Sequence, residues 1–158
     1  MLLPVFQWME SSGLGTTVRE SAWLYAIDQV VHLLFLVVFA GAVLVVDLHL
    51  LGRGLREQPR AQVARAAHPW MAWSFFGLFL TGIPQMFSTA IKEYYSSFFW
   101  EKMTVLLVAV IFTFTIRRWV TLADEARVGR FWPKIVGLVS IALWGFVTAG
   151  GRLIGLLS

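Results

Sequence analysis

Four long apolar runs constrain the fold of this 158-residue chain more than any other feature. They cover about residues 22–51, 69–90, 98–116 and 135–157. A helix needs about 20 apolar residues to cross the hydrocarbon core of a bilayer, and each run is near that length. Charged residues make up only 14% of the chain, against about 25% in soluble domains. The sequence therefore predicts an all-α protein, an integral membrane four-helix bundle.

Basic residues concentrate in two of the loops between these runs, the first and the third. By the positive-inside rule, both loops lie in the cytoplasm and both termini lie on the outer side of the membrane. The basic residues are Arg53, Arg56, Arg60 and Arg65 in the first loop, and Arg117, Arg118, Arg127, Arg130 and Lys134 in the third.

Residues 1–21 precede the first run and are too short and too polar to cross a bilayer. We expect an interfacial segment in which Phe6, Trp8 and Met9 contact lipid head groups. No internal repeat is evident, and the cytoplasmic loops are short, so consecutive helices should pack as antiparallel neighbours. Residues 1–158 are therefore predicted to form a single membrane domain.

Ionisable side chains inside membrane spans are costly and point to function. In the predicted topology the polar residues of the spans lie at two depths, one near each face of the membrane. The outer layer contains Asp28, Gln29, His32, Met86, Glu101, Lys102 and Arg152, and the cytoplasmic layer contains Asp47, His49, His68, Arg117 and Arg118.

The three histidines are candidate axial ligands of a haem iron. His49 ends the first span and His68 begins the second, so a helical hairpin brings them to the same depth. Met86 follows His68 by 18 residues, about five helical turns, and so reaches the depth of His32 on the same helix face. His/His and His/Met are both known axial pairs. The spacing thus predicts a site at His49 and His68, a site at His32 and Met86, or both.

Neighbouring polar residues would complete such a site. Asp28 lies one helical turn before His32, where its carboxylate can hold the second ring N–H. Asp47 is the corresponding carboxylate near His49. Lys102 and Arg152 are candidate partners for the haem propionates, as are the two cytoplasmic arginines of the third loop.

Each candidate ligand also has an ordinary structural explanation. His68 precedes Pro69, which suits the first turn of a helix, so His68 would then only cap that helix at the interface. His49 would hydrogen-bond Asp47 or face head groups. His32 would form a hydrogen bond with Asp28, and Met86 would be a packing residue.

Several functional classes are excluded or disfavoured. The chain contains no cysteine, so thiolate metal sites and thiol catalysis are excluded and any haem would be bound non-covalently. Metalloprotease, phosphate-loop and serine-hydrolase motifs are absent from the sequence. The basic residues flank apolar runs and do not form a nucleic-acid-binding face. Whether the protein is an enzyme stays open, with an electron-transfer or accessory role favoured.

Five stretches of the chain resemble an uncharacterised family of small bacterial four-helix inner-membrane proteins. The family's features fall on His32, Asp47, Lys102, Trp144 and Arg152, with its usual acidic residue at Asp28. The resemblance implies a multi-pass protein of the bacterial inner (cytoplasmic) membrane, with periplasmic termini. This chain departs from the family pattern at His49, where arginine is expected, and at His68, so the resemblance does not imply a cytoplasmic bis-histidine site. The stretches are "VFQWMESSGLGTTVRESAWLYAIDQVVH", "VVDLHLLG", "TGIPQMF", "FFWEKMTVLL" and "LWGFVTAGGRLIG".

These observations favour a small membrane subunit that binds b-type haem and passes electrons between a quinone and a partner protein. Its partners would be the lipid bilayer and other membrane or periplasmic subunits. The alternative is a cofactor-free accessory or structural subunit of a membrane complex. A carrier of copper or a small anion is disfavoured, because transporters of this kind are usually built from inverted repeats and discontinuous helices.

Overall fold

Every regular element in the described part of the chain is a helix, as the sequence predicts. The computed structural model describes residues 2–54 and 57–157, without the side chains of 125 and 151–157. The helices are α1 (Leu3–Ser11), α2 (Gly13–Glu20), α3 (Ala22–Leu50), α4 (Arg60–Ser88), α5 (Ala90–Tyr95), α6 (Ser97–Leu122), α7 (Glu125–Val128) and α8 (Trp132–Leu157).

Three of the described helices are long and apolar enough to cross a membrane: α3, α6 and residues Trp132–Gly150 of α8. Their outward faces carry large apolar side chains, among them Trp23, which is 81% exposed, and Val37, which is 69% exposed. Contiguous apolar surface of this kind is not stable against water. These faces are suited to contact with lipid.

The second predicted span is part of a longer helix. Helix α4 begins at Arg60, after Pro59, so Pro69 lies inside the helix and not in its first turn as the sequence predicted. Hydropathy marks only the apolar part of a helix, and the first turns of α4 contain Arg60, Gln62 and Arg65. Because the helix already begins at Arg60, His68 lies inside it and does not cap it.

The long helices share one apolar core. Phe39 of α3 and Trp144 of α8 meet edge to face, with ring centroids 4.5 Å apart. Met71 of α4 and Ala109 of α6 pack into the same cluster. Gly77 allows α4 to lie close to α3, since a Cβ there would be 2.5 Å from the ring of Phe35. The core therefore fixes the positions of four long helices relative to one another.

Helix α6 contains a π-helical turn at Thr113–Arg117. Such turns add one residue to a helix and are frequent at functional sites. The indole N–H of Trp144 donates to the hydroxyl of Thr113 over 3.0 Å, and Arg117 at the end of the turn is only 4% exposed. The turn thus lies where the guanidinium of Arg117 enters the core.

The N-terminal helices pack on the rest of the protein. Phe6 and Met9 are buried in a cluster with Ala90 and Phe99, so the expectation that they contact head groups is wrong for these two residues. Trp8 is 65% exposed, and its contact with head groups stays a prediction. An amphipathic segment buries its apolar face against protein as readily as against lipid, and the sequence pattern does not distinguish the two.

Glu10 connects this N-terminal segment to helix α5. One carboxylate oxygen accepts the backbone N–H of Ile91 over 2.7 Å, and the other accepts from the Arg19 guanidinium over 3.0 Å. Both oxygens of Glu10 are therefore satisfied. Helices α1 and α2 consequently cover the end of the protein where α4, α5 and α6 meet.

Candidate functional site

His32 on α3 is held by Thr81 on α4. The ring Nδ1 lies 2.7 Å from the Thr81 hydroxyl oxygen, and that hydroxyl lies 2.8 Å from the carbonyl oxygen of Gly77. A hydroxyl has one proton, and donating it to Gly77 leaves the Thr81 oxygen to accept from Nδ1–H. The lone pair of the neutral ring is then on Nε2. A hydrogen bond that fixes the tautomer in this way is typical of metal-ligating histidines.

Two unpartnered polar atoms lie one helical turn outward from this pair. Because α3 and α4 are antiparallel, Asp28 lies one turn from His32 on the side where Gln85 lies one turn from Thr81. Asp28 Oδ2 and Gln85 Nε2 are both buried, and neither has a hydrogen-bond partner among the described side chains. One is an acceptor and the other a donor. Buried polar groups are rarely left unpaired, so we expect partners for both atoms beyond the described side chains.

Glu93 and Lys102 complete the same level from α5 and α6. The Thr89 hydroxyl donates to Glu93 Oε1 over 3.1 Å, while Oε2 is buried and has no hydrogen-bond partner in the described part of the chain. Burial raises the pKa of Glu93, against the opposing effects of the Thr89 hydrogen bond and the positive charge of Lys102. Lys102 also acts electrostatically on His32. We call Asp28, His32, Thr81, Gln85, Glu93 and Lys102 the outer polar layer.

The raised pKa of Glu93 predicts pH-dependent stability. The folded protein binds this proton more tightly than the unfolded chain, so the contribution to stability is full below the ordinary value of 4.5 and is lost as pH rises through the raised pKa. Glu93→Gln removes the titration. The melting temperatures of the variant and of wild type are measured in detergent over a range of pH. We expect the difference, variant minus wild type, to increase as pH rises above 4.5. Glu101→Gln, which changes an exposed carboxylate, is measured over the same pH range and corrects for general charge effects. A pH-independent difference for Glu93→Gln would contradict the prediction.

Met86 does not lie against His32. It packs beside Phe6, Met9, Ala90 and Phe99, in the cluster beneath the N-terminal helices. The spacing from His68 predicts the helix face of Met86 but not the register of α4 against α3. In the observed register, the residue opposite His32 is Thr81. In the described part of the chain, His32 contacts Thr81 and Met86 packs in a different cluster.

His49 and His68 are also apart. His49 lies near the end of α3, with its ring Nδ1 3.3 Å from the carbonyl oxygen of Gly54. His68 is exposed and lines a groove between α4 and α6. Within the described chain, no group of three or more His, Asp or Glu side chains is arranged to hold a metal ion. The hydrogen bonds and packing clusters of the described residues thus join neither His49 to His68 nor His32 to Met86.

Asp47 pairs with Arg117 and not with His49. The guanidinium Nε donates to Asp47 Oδ1 over 2.8 Å, and Nη2 donates to the carbonyl oxygen of Val43 over 3.1 Å. Asp47 is 0% exposed. The sequence placed both residues in the cytoplasmic layer, and their opposite charges at one depth were the signal for this ion pair.

The remaining polar contacts of Asp47 come from α8. Ser140 lies beside the carboxylate, and among the described residues neither its Oγ nor Asp47 Oδ2, both buried, has a hydrogen-bond partner. The backbone of α8 approaches closely here, since a Cβ on Gly137 would lie 3.0 Å from the Asp47 carbonyl oxygen. The predicted site residue Arg152 belongs to α8 as well, but its side chain lies outside the described residues.

Comparison with known proteins places the chain in one family. A family model described as a family of unknown function, DUF6644, matches residues 5–157. No curated protein and no solved structure matches the chain. Because the family match extends over almost the whole sequence, the protein belongs to DUF6644.

Proposed function

We propose that the protein is a small membrane subunit that binds b-type haem and passes electrons between a quinone and a partner protein. The observation that supports this function most is the hydrogen bond between His32 and Thr81. It leaves Nε2 of His32 as the coordinating nitrogen. His32 is accordingly the proposed axial ligand, and the haem is non-covalent.

The surroundings of His32 are compatible with this proposal. Lys102 would supply a positive charge for a propionate, whereas the ring Nδ1 of His32 is held by Thr81 and not by Asp28 as the sequence predicted. His49, His68 and Met86 lie elsewhere. We therefore expect five-coordinate haem with His32 as its ligand from the chain, and a Soret band that shifts when imidazole is added.

The absorbance spectrum of detergent-purified protein, expressed with sufficient haem, tests the proposal. We expect a Soret band in wild type and its loss in His32→Ala. Thr81→Val keeps the shape of the side chain but removes the acceptor for Nδ1–H, and should lower haem affinity by about 10–100-fold. His49→Ala and His68→Ala are matched controls and should retain the band.

Two outcomes would contradict this assignment. Loss of the band in His49→Ala and His68→Ala, with His32→Ala unaffected, would place the haem at the other end of the helices. Wild-type protein without a Soret band would exclude haem and favour a cofactor-free accessory subunit.

We also propose that α4 is a fourth membrane crossing, which makes the protein a four-helix bundle of the bacterial inner membrane. Helix α4 packs antiparallel to α3, with Thr81 against His32 near one end and Ala67 packed with Val46 near the other. Its outward face exposes apolar rings, including Trp73 at 73% and Phe79 at 65%. Rings of this size at bilayer depth favour contact with lipid.

The arginine-rich loops predict that both termini are periplasmic. A phosphatase fused after Ser158 should be active, because the enzyme requires the periplasm. A fluorescent protein inserted near Gln58 should be bright, because that loop is cytoplasmic. If both positions report the same compartment, the four-crossing topology is wrong.

A further inference from the structure

A groove lies between α4 and α6, at the end of the molecule opposite His32. Its volume is about 310 Å³, which is at the lower end of the range for small-molecule sites. The π-helical turn forms part of its wall, through Thr113, Phe114 and Arg117. The outer polar layer contributes no side chain to the groove, so the two sites are separate.

The polar part of the groove is basic. Arg65 and His68 of α4 and Arg118 of α6 are exposed at its rim, and buried Arg117 forms part of its wall. The charge of Arg117 is balanced by Asp47, which lies behind it. None of the described side chains that line the groove is acidic. The two rim arginines therefore provide positive charge that no lining carboxylate offsets.

The rest of the groove is apolar. Met71 and Phe114 line it beside the basic residues, together with Leu122. Phe114 is 46% exposed, and Trp119 on the next turn is 61% exposed, so the groove opens onto an apolar outer surface of α6. A ligand that matches this surface has an anionic head and an apolar tail.

We propose that this groove binds an anionic phospholipid. Its phosphodiester lies between Arg65 and Arg118, and an acyl chain follows Met71 and Phe114. Basic pockets between membrane helices on the cytoplasmic side are known to bind acidic lipid head groups. The arginine-rich loops place this end of α4 and α6 on that side. The proposal does not depend on haem at His32.

Binding can be measured by native mass spectrometry of the full chain in neutral detergent. Wild type should retain phosphatidylglycerol and not phosphatidylcholine, because only the former carries net negative charge. In the double variant Arg65→Gln/Arg118→Gln, we expect affinity for phosphatidylglycerol to fall about 25-fold, about fivefold for each arginine. The matched control is Arg127→Gln/Arg130→Gln, which removes two exposed arginines outside the groove and should leave affinity unchanged.

Three results would overturn the proposal. Equal binding of the two lipids by wild type would show that the negative charge is not recognised. Equal losses in the double variant and its control would show a general charge effect. Protection of wild type against thermal unfolding by inorganic phosphate, to the same extent as by phosphatidylglycerol, would identify a free anion as the ligand. The first and third results use wild type and remain informative if the double variant does not fold.

Discussion

Arg117→Ala should destabilise the folded protein by about 3–5 kcal/mol, the usual range when one partner of a buried ion pair is removed. Asp47 would remain at a position where it is 0% exposed, with neither its counter-charge nor its 2.8 Å hydrogen bond. The Val43 carbonyl would lose the Nη2 donor as well. Water reaches this depth poorly, so solvent cannot replace the lost partners.

Free energies of unfolding in detergent mixed with denaturing surfactant would measure this loss. Arg130→Ala, at an exposed arginine, is the control and should change stability by no more than about 0.5 kcal/mol. The double variant Asp47→Leu/Arg117→Met removes both charges and should recover most of the loss, because apolar replacements of buried pairs are often neutral or better. A double variant as unstable as Arg117→Ala would show that the pair acts through more than charge compensation.

The apolar runs were sufficient to predict the helices because a bilayer requires contiguous apolar length. The first run, residues 22–51, agrees with the bounds of α3 to within one residue, because polar residues precede and follow it. The apolar runs placed the start of the second helix nine residues too late, at Pro69 and not at Arg60. A helix continues into the polar region wherever its backbone is hydrogen-bonded, and hydropathy does not report that.

The residues of the candidate site were predicted better than their partners. The sequence placed His32, Asp28 and Lys102 in one outer layer, and in the structure Lys102 and Asp28 both act electrostatically on His32. Thr81 was missed, because choosing the residue opposite His32 requires the register of α4 against α3. That register depends on close packing such as Phe35 against Gly77. Several residues of α4 lie at about the same depth as His32, so depth alone does not identify the residue opposite it.

Asp47 shows the same limit at the other end of the molecule. Its sequence neighbour His49 suggested a local carboxylate–histidine contact. In the structure, its partner is Arg117 of α6, which is the last residue of the π-helical turn at Thr113–Arg117. No periodicity in the sequence predicts the added residue of a π-helical turn. From the sequence, the Asp47–Arg117 pair could be found only by matching opposite charges at the same predicted depth.

Gly15→Ala should loosen the N-terminal helices from the rest of the protein. A Cβ at Gly15 would lie 2.7 Å from the carbonyl oxygens of Met9 and Phe87, and 2.8 Å from that of Glu10. These are backbone atoms of α1 and α4, which cannot move aside as a flexible side chain can. Helix α2 must therefore shift, and overpacking of this kind typically costs about 1–3 kcal/mol.

Gly13→Ala is the matched control for this substitution. It lies two residues earlier in the same helix, and a Cβ there meets no atom within 4 Å. Since alanine favours helix over glycine by about 1 kcal/mol, Gly13→Ala should be neutral or stabilising. Limited proteolysis provides a second readout. A shift of α2 should expose the chain around Glu10, whose carboxylate binds the Ile91 N–H, so cleavage there should accelerate in Gly15→Ala alone. If the two alanine variants are equally stable and equally resistant, the N-terminal segment does not pack on α4 in solution, and lipid remains its partner.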